Sequence, residues 1–332
     1  MSSYFRYTEP MAVKAAAGQA ESVYQQIAGD FGLIPEPFTL HSPAPDVLAG
    51  VWSIFRETLV CGNRARGEKE AIATAISESN RCPWCADAHT AMLHATGYHR
   101  SSDPQVQALI DWAAGSGRAE GLPAPFSQAD APELGGTALT FYFLTRMVTV
   151  FLVERMLPEN GLVRGALQRV GGLLFAKRAA AILPPGESLA LLPAGDLPAE
   201  LAWMADNPTV AGAFARLHSA VEEAAAPYLS DAMRRTSEAH LREWNGGNQP
   251  LSRSWVEPVL AHLPADERAV AQVALLTALA PHQMCEPVVA EFRAVHPGDE
   301  ALIAVAAWGA FAATRRIGAW MGETVRAGLV TA

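Results

Sequence analysis

Residues 70–89, EAIATAISESNRCPWCADAH, join the end of one helical pattern to the start of another and carry two cysteines, Cys82 and Cys85. In the first half of this stretch the apolar residues recur at intervals of three and four, which is the spacing of one helix face. Pro83 then fits the first position of a new helix, where the missing N–H of proline is harmless. The stretch therefore predicts two consecutive helices with a pair of thiols at their junction.

Apolar residues recur at helical spacing through the rest of the chain as well, and no sustained alternation of apolar and polar residues predicts a strand. The predicted fold class is therefore all-α. The Gly- and Pro-rich residues 115–136 are predicted to form a surface loop. The predicted helices cover about 11–27, 45–59, 68–79, 83–96, 104–114, 137–157 and 163–181.

The second half of the chain resembles the first. The matching segments are 44–55 with 207–217 and 68–77 with 266–275. Continuing the second match places residues 280–283 opposite residues 82–85, so that the prolines coincide and the cysteines do not. Self-similarity at this scale is typical of a duplicated helical unit. We therefore predict two tandem related helical domains, a redox-active one over 1–183 and a degenerate repeat without the dithiol over 184–332.

Composition excludes several classes of protein. The chain has 332 residues, of which half are apolar and 18% are charged, and its net charge of -9 comes without clustered Lys and Arg, so a nucleic-acid partner is not expected. Four cysteines are too few for a disulfide scaffold in a chain this long, and the first residues lack the regions of a signal peptide, so a cytoplasmic location is expected. Arg146, Glu154 and Arg155 interrupt the most apolar run, which favours a buried helix over a membrane span.

The dithiol suits reversible redox chemistry. Two cysteines separated by two residues at a helix start lie one turn apart, close enough for a disulfide that forms and breaks locally. The positive end of the helix lowers a thiol pKa from about 8.5, which favours Cys82 as the reactive thiol. His89, however, lies four residues beyond Cys85 on the same face, and about 10.5 Å along the axis from Cys82. A histidine can take a thiol proton, and Glu70 can orient it or carry the proton onward.

The pattern Glu70-x11-Cys82-x2-Cys85-x3-His89 resembles the active-site signature of the alkyl hydroperoxidase D-like branch of the carboxymuconolactone decarboxylase superfamily. The resemblance implies an all-helical fold in which Cys85 attacks a hydroperoxide and Cys82 resolves the resulting sulfenic acid as a disulfide. It also implies that Glu70 and His89 relay protons. One position departs from the best-known members, because Trp84 stands where they have a histidine between the cysteines.

The same resemblance implies a thiol-dependent peroxidase or disulfide oxidoreductase that needs no cofactor. Its partners would be a hydroperoxide substrate and a reducing dithiol or a lipoyl-type protein as electron donor. We also expect a homo-oligomer (dimer, trimer or hexamer), because a helical unit this apolar would leave apolar faces exposed if it were alone.

Other interpretations of these residues stay open at this point. The two cysteines can be small buried residues of the core, or zinc ligands with His89 as a third. Glu70 can be an acid that only complements the positive end of its helix. At the level of function, the alternatives are a lactone decarboxylase-type lyase, which needs no dithiol, and a protein that senses redox state or binds a partner without turnover.

The remaining cysteines and two acidic residues near the dithiol are expected to have no role in the chemistry. Cys61 and Cys285 are single residues for which packing in the core is the simplest explanation. Asp87 and Glu78 are expected on the solvated faces of their helices.

Overall fold

The computed structural model describes residues 4–98, 103–158, 160–181 and 183–327. Within these residues the regular structure is helical, and the only β contact is an isolated antiparallel bridge between Phe5 and Leu152. The prediction of an all-α fold is confirmed. The α-helices are α1 (Gly18–Phe31), α2 (Glu36–Thr39), α3 (Pro45–Phe55), α4 (Arg66–Ser79), α5 (Pro83–Ala95), α6 (Pro104–Gly115), α7 (Ala131–Phe151), α8 (Gly161–Ala179), α9 (Pro208–Ala225), α10 (Asp231–Glu243), α11 (Val256–Leu260), α12 (Ala265–Leu279), α13 (Glu286–Val295) and α14 (Asp299–Ala327).

Short helical turns of other types connect these helices. The helix predicted over 45–59 is observed as α3 followed by one π-helical turn. The 3₁₀ turns are Val13–Ala15, Glu187–Leu191, Ala199–Met204, Arg253–Trp255 and Pro281–Gln283, and the π turn is Arg56–Val60.

The sequence-based boundaries are wrong at the start of α1, which begins at Gly18 instead of about residue 11, and at both ends of α7. Helix α7 begins at Ala131, inside the stretch predicted as a loop. Gly135 and Gly136, which suggested a loop, instead let α7 pack closely against its neighbours. A Cβ atom on Gly135 would lie 2.7 Å from the Trp203 ring, and one on Gly136 would lie 3.0 Å from Thr58. Glycine is used here for close approach of a backbone rather than for a turn.

The helix α7 lies in the core of the protein. By length and composition alone it could cross a membrane, but 94% of its most apolar window is buried inside the protein. It packs against α4, α9 and α14, and its apolar residues belong to one contiguous cluster that includes buried residues of both halves of the chain. The prediction that the most apolar run is a buried helix agrees with this arrangement.

Helix packing in the second half follows that of the first. In the first half α4 packs against α5 and α7, and in the second half α12 packs against α13 and α14. The corresponding helices also meet between the halves, since α3 packs against α9 and α7 against α14. A duplication with a boundary near residue 183 stays a prediction.

The predicted register of the repeat at the thiols stays a prediction. After α12 the chain forms a 3₁₀ turn, and α13 then begins with Cys285 at its N-cap. Cys82 holds the same N-cap position in α5. Ala280 is the N-cap of the preceding 3₁₀ turn and is followed by Pro281, so both Ala280 and Cys285 hold positions that resemble that of Cys82.

A buried ion pair fixes the start of α4. Glu133 of α7 accepts backbone N–H bonds from Asn63 (2.8 Å) and Arg64 (3.0 Å), and its Oε2 lies 2.9 Å from the Lys69 ammonium. Lys69 also donates to the carbonyl of Cys61 at 2.5 Å. Burial raises the pKa of Glu133, but Lys69 and the two N–H groups outweigh burial, so the pKa lies below its usual value. The pair anchors the helix that carries Glu70.

Candidate active site

The two cysteines lie where the sequence places them, at the start of α5. Cys82 is the N-cap residue, Pro83 takes the first helical position, and Cys85 falls in the first turn. The backbone N–H of Cys82 donates to the carbonyl of Ser77 (2.9 Å), which joins this helix start to the end of α4. Both thiols are buried, with 2% of Cys82 and 5% of Cys85 exposed.

The thiols of Cys82 and Cys85 contact each other. Each cysteine is free, and the side chains of Cys82 and Cys85 are within hydrogen-bonding contact. Burial raises the pKa of the Cys85 thiol well above its ordinary value, and the contact with Cys82 raises it further. The helix start therefore does not make Cys85 a ready thiolate. Its proton must be removed by a nearby base when it reacts.

A base with its own orienting carboxylate lies on the same face of α5. Nδ1 of His89 is 2.7 Å from Oε2 of Glu70, which is fully buried on α4. Arg66 donates from Nε to the other carboxylate oxygen at 2.7 Å. Burial raises the pKa of Glu70, but the Arg66 charge and then His89 lower it by more, so the pKa lies below its usual value. Glu70 is thus a carboxylate, and Nδ1 of His89 carries the proton that faces it.

This geometry leaves Nε2 of His89 as the nitrogen that can accept a proton. The ring is held in place by Phe141 of α7, which meets it edge to face at 4.4 Å between centroids. His89 lies one helical turn from Cys85, and in the described part of the chain no hydrogen bond joins its ring to either thiol. A proton can pass from Cys85 to His89 through a bridging water or through the substrate oxygen.

The interpretation of Glu70 as an acid at a helix start does not account for its position. The acid in the first turn of α4 is Glu68, which accepts the N-cap N–H of Ala65. Glu70 lies further along, where it is fully buried against Arg66 and His89. A carboxylate that only complemented a helix dipole would be stabilised at the exposed helix end.

A zinc site is not formed by these residues. Among the residues that the structure describes, no three His, Cys, Asp or Glu side chains are grouped closely enough to hold a metal ion. Tetrahedral zinc sites use four ligands, or three ligands and a water. Cys82, Cys85 and His89 do not supply such a set.

Two cavities differ in their relation to the thiols. A cavity of about 430 Å³ is bordered by Cys82, whereas Cys85 does not line it. A larger one, about 1320 Å³, lies in the second half of the chain, and none of Glu70, Cys82, Cys85 and His89 lines it. Volume alone would favour the larger cavity as a substrate site, but only the smaller one is lined by a residue of the dithiol, Cys82.

Sequence reasoning missed two residues of the site, Arg66 and Phe141, and gave a third, Asp87, the wrong environment. Arg66 could have been found, because it stands four residues before Glu70 on the same helix face. Phe141 could not, since it comes from α7 and nothing in its sequence context points to His89. The prediction for Asp87 was wrong, because α8 packs over α5 and buries it, whereas Glu78 is exposed as predicted.

Comparison with known proteins identifies the family. No family model matches the chain. A protein of Mycobacterium tuberculosis named alkyl hydroperoxide reductase is 39% identical over 331 residues, which cover 96% of this chain and 95% of that protein. The chain belongs to the alkyl hydroperoxidase D-like family. The match to this relative extends through the second half of the chain.

Membership of the alkyl hydroperoxidase D-like family agrees with the all-helical fold and with the helix junction that holds the dithiol. Trp84, the residue that departs from the best-known alkyl hydroperoxidase D-like members, is 3% exposed and meets the ring of Tyr4 edge to face at 5.3 Å. Its side chain packs in the core, so it holds the helix start and contributes no group that handles protons.

Proposed function

We propose that the protein is a thiol-dependent peroxidase, an oxidoreductase that reduces hydroperoxides through a dithiol–disulfide cycle of Cys82 and Cys85. The observation that carries the proposal is the 2.7 Å hydrogen bond between buried Glu70 and His89, one helical turn from Cys85. A buried carboxylate that orients a histidine beside a thiol is the arrangement of an activated nucleophile.

Peroxide reduction begins at Cys85. Nε2 of His89 takes the thiol proton through a bridging oxygen, and the Cys85 sulfur attacks the terminal oxygen of the hydroperoxide. The O–O bond breaks, its electron pair leaves with the alkoxide, and the proton on His89 returns to give the alcohol. Cys85 is left as a sulfenic acid, which is the first step of thiol oxidation.

Cys82 then resolves the sulfenic acid. Its sulfur attacks Sγ of Cys85, hydroxide leaves and is protonated to water, and the two sulfurs form a disulfide. The contact between the two thiols at the start of α5 favours this step. A reducing dithiol or a lipoyl-type protein returns two electrons and closes the cycle, so the protein itself needs no cofactor.

A thiol titration with a hydroperoxide tests the function directly. One equivalent of cumene hydroperoxide added to the reduced protein should remove two of its four thiols and yield one equivalent of alcohol. A dithiol reductant should restore both thiols and support repeated turnover. Loss of thiols without repeated turnover would favour a redox sensor, and no reaction with hydroperoxide would favour a lyase of the decarboxylase type.

Replacing Glu70 by glutamine should slow thiol oxidation about a hundredfold, which is the usual contribution of positioned acid–base groups. Glutamine can present its amide N–H to Nδ1 and so stabilise the wrong tautomer of His89. Stopped-flow measurement of thiol loss checks this, with Glu21→Gln as control because Glu21 is exposed on α1.

The same substitution should change the response to acid. The pKa of Glu70 is lower in the folded protein than in the unfolded chain. The ionised carboxylate therefore adds to the free energy of unfolding at pH values above the unfolded pKa of about 4.3, and this contribution is lost as the pH falls through the folded pKa. The stability of Glu70→Gln should therefore depend less steeply on pH below about 5. If the rate of thiol oxidation is unchanged in Glu70→Gln, the proposed proton relay of Glu70 and His89 is contradicted.

We also propose that the protein is a cytoplasmic homo-oligomer (dimer, trimer or hexamer). The support for assembly is the outer face of α8, because large apolar side chains exposed together mark interaction surfaces. Sedimentation velocity should give a mass above that of one chain, and a monomer at micromolar concentration would contradict assembly. The exposed apolar residues of this face are Leu162, Val163, Leu167, Val170 and Leu173.

A further inference from the structure

The cavity of about 430 Å³ beside Cys82 is bounded by three elements. Residues 82–90 of α5 form one wall, residues 77–81 at the end of α4 form the second, and Arg155 with Arg164 and Gln168 forms the third. This volume lies in the range of small-molecule sites. Cys82 lines the cavity and Cys85 does not, so Cys82 is the cysteine that a small molecule in the cavity would meet.

The charge of the cavity differs in sign from that of the protein. Arg81, Arg155 and Arg164 line it, against the two carboxylates Glu78 and Asp87, so the lining carries a formal charge of +1 (three minus two). The N-terminal end of α5 adds positive potential at Cys82. The whole chain has a net charge of -9, which repels anions at long range. Attraction of an anion to this cavity must therefore come from local groups, which are the arginines and the N-terminal end of α5.

Asp87 provides the second observation that points to a ligand. Its side chain is 94% buried, and Oδ1 is shared by Gln168 (3.1 Å) and Arg164 (3.5 Å). Oδ2 has no hydrogen-bond partner in the described part of the chain, and such an orphaned group is costly. Burial raises the pKa of this carboxyl despite the nearby arginines. A ligand in the cavity that carries a hydrogen-bond donor, such as a thiol S–H, could satisfy this oxygen.

Arg81 occupies an unusual backbone position at the mouth of the cavity. Its φ is +53°, in the left-handed region where glycine costs least, and its side chain is exposed. Arg164 has further N–H donors besides the one near Asp87, since a guanidinium carries five. Both residues can therefore present donors to a carboxylate in the cavity.

We propose that this cavity binds a small thiol that carries a carboxylate, and that the thiol reduces the Cys82–Cys85 disulfide by attack on the sulfur of Cys82. The inference rests on the proposed dithiol–disulfide cycle and concerns its reductive half. The arginines hold the carboxylate, and the thiolate is directed at Cys82, the cysteine that lines the cavity.

The reduction proceeds in two exchanges. The donor thiolate attacks Sγ of Cys82, and the bond between Cys82 and Cys85 breaks. The electron pair of that bond goes to Sγ of Cys85, which takes a proton from His89. The donor is then joined to Cys82 as a mixed disulfide. A second donor thiolate attacks the donor sulfur and releases Cys82, which takes a proton from solvent. Two donor thiols become one disulfide, and the protein gains two electrons.

The test compares three thiols of similar size and different charge on the full-length oxidised protein. These are 3-mercaptopropionate, 2-mercaptoethanol and 2-aminoethanethiol, with rates expressed per thiolate at low ionic strength. The disulfide is made with diamide instead of a hydroperoxide. The wild-type protein should react about tenfold faster with the anionic thiol than with the neutral one, and slowest with the cationic one.

Substitutions of arginines that line the cavity test whether these residues cause the preference for the anionic thiol. Arg164→Gln and Arg81→Asn should each lower the anionic preference about threefold or more, and asparagine tolerates the left-handed backbone at position 81. Arg169→Gln is the matched control, because Arg169 is exposed on α8 and does not line the cavity. Equal rates with anionic and neutral thiols in the wild type, or an unchanged preference in both cavity variants, would overturn the proposal.

The site of attack is tested by trapping. With 3,3′-dithiodipropionate, Cys85→Ser should form a mixed disulfide at Cys82 about tenfold faster than Cys82→Ser forms one at Cys85. Faster formation of the mixed disulfide at Cys85 than at Cys82 would overturn the proposal. Failure of diamide to form the Cys82–Cys85 disulfide in the wild-type protein would also overturn it. Failure to consume hydroperoxide would instead contradict the proposed peroxidase function, because these exchange measurements use no hydroperoxide.

Discussion

Cys85→Ser is expected to abolish hydroperoxide consumption, with a loss of at least about a thousandfold, because a buried serine hydroxyl cannot replace a thiolate as nucleophile. Cys82→Ser should behave differently, since Cys85 can still attack the peroxide once. In that variant the reaction should stop at a sulfenic acid on Cys85, which dimedone labels and mass spectrometry detects. The pair of variants therefore separates attack from resolution.

Cys285→Ser is the matched control for these substitutions. Cys285 also caps a helix start, and the Arg253 guanidinium lies against its sulfur, but it is in the second half of the chain. Its loss should leave the rate of hydroperoxide consumption unchanged. Cys61 is not expected to react, because burial raises its pKa to about 12. Full activity in Cys85→Ser would contradict the proposed cycle, and a sulfenic acid trapped on Cys82 would reverse the roles of the two thiols.

The second large effect is expected on stability, at the ion pair of Lys69 with Glu133. Glu133→Ala should lower the free energy of unfolding by about 3–5 kcal/mol, because it leaves a buried ammonium without its counterion. It also removes the acceptor for the N–H groups of Asn63 and Arg64. Urea unfolding at neutral pH measures the change through the transition midpoint at constant slope.

A double variant distinguishes the charge from the hydrogen bonds. Lys69→Met combined with Glu133→Gln removes both charges and keeps an acceptor oxygen, so it should recover most of the loss seen in Glu133→Ala. Arg235→Ala serves as the control, because the Arg235–Asp231 pair is exposed and its removal should change stability by less than about 0.5 kcal/mol. A Glu133→Ala effect as small as that of the control would show that the buried pair contributes little.

The site residues could be predicted because their relations are local in sequence. Helical spacing places His89 one turn from Cys85. Consecutive helices that pack against each other bring Glu70 of α4 to His89 of α5. Pro83 marks the start of α5 for a reason that depends only on its own backbone. None of these inferences needs a contact with a distant part of the chain.

The reactivity of the thiols could not be predicted in the same way. The positive end of a helix contributes about 0.3–1 kcal/mol to a nearby charge. Full burial shifts a pKa by up to about 3–5 units, which is several times larger. Burial of Cys85 is therefore decisive, and it depends on the helices that cover α5, which include α7 and α8. A pattern of residues in one helix does not show what covers that helix.

The sequence alone was enough to predict the all-α fold, the four residues within 70–89 and their spacing on adjacent helix faces. These features could be predicted because helix periodicity and backbone chemistry act over a few residues. Tertiary structure alone decided that the Cys85 thiol is neutral at rest, that Glu70 is held as a carboxylate by Arg66 and that Cys82 borders the cavity. Desolvation, ion pairing and cavity shape arise from segments that meet only in the folded chain, and they set how the dithiol can react.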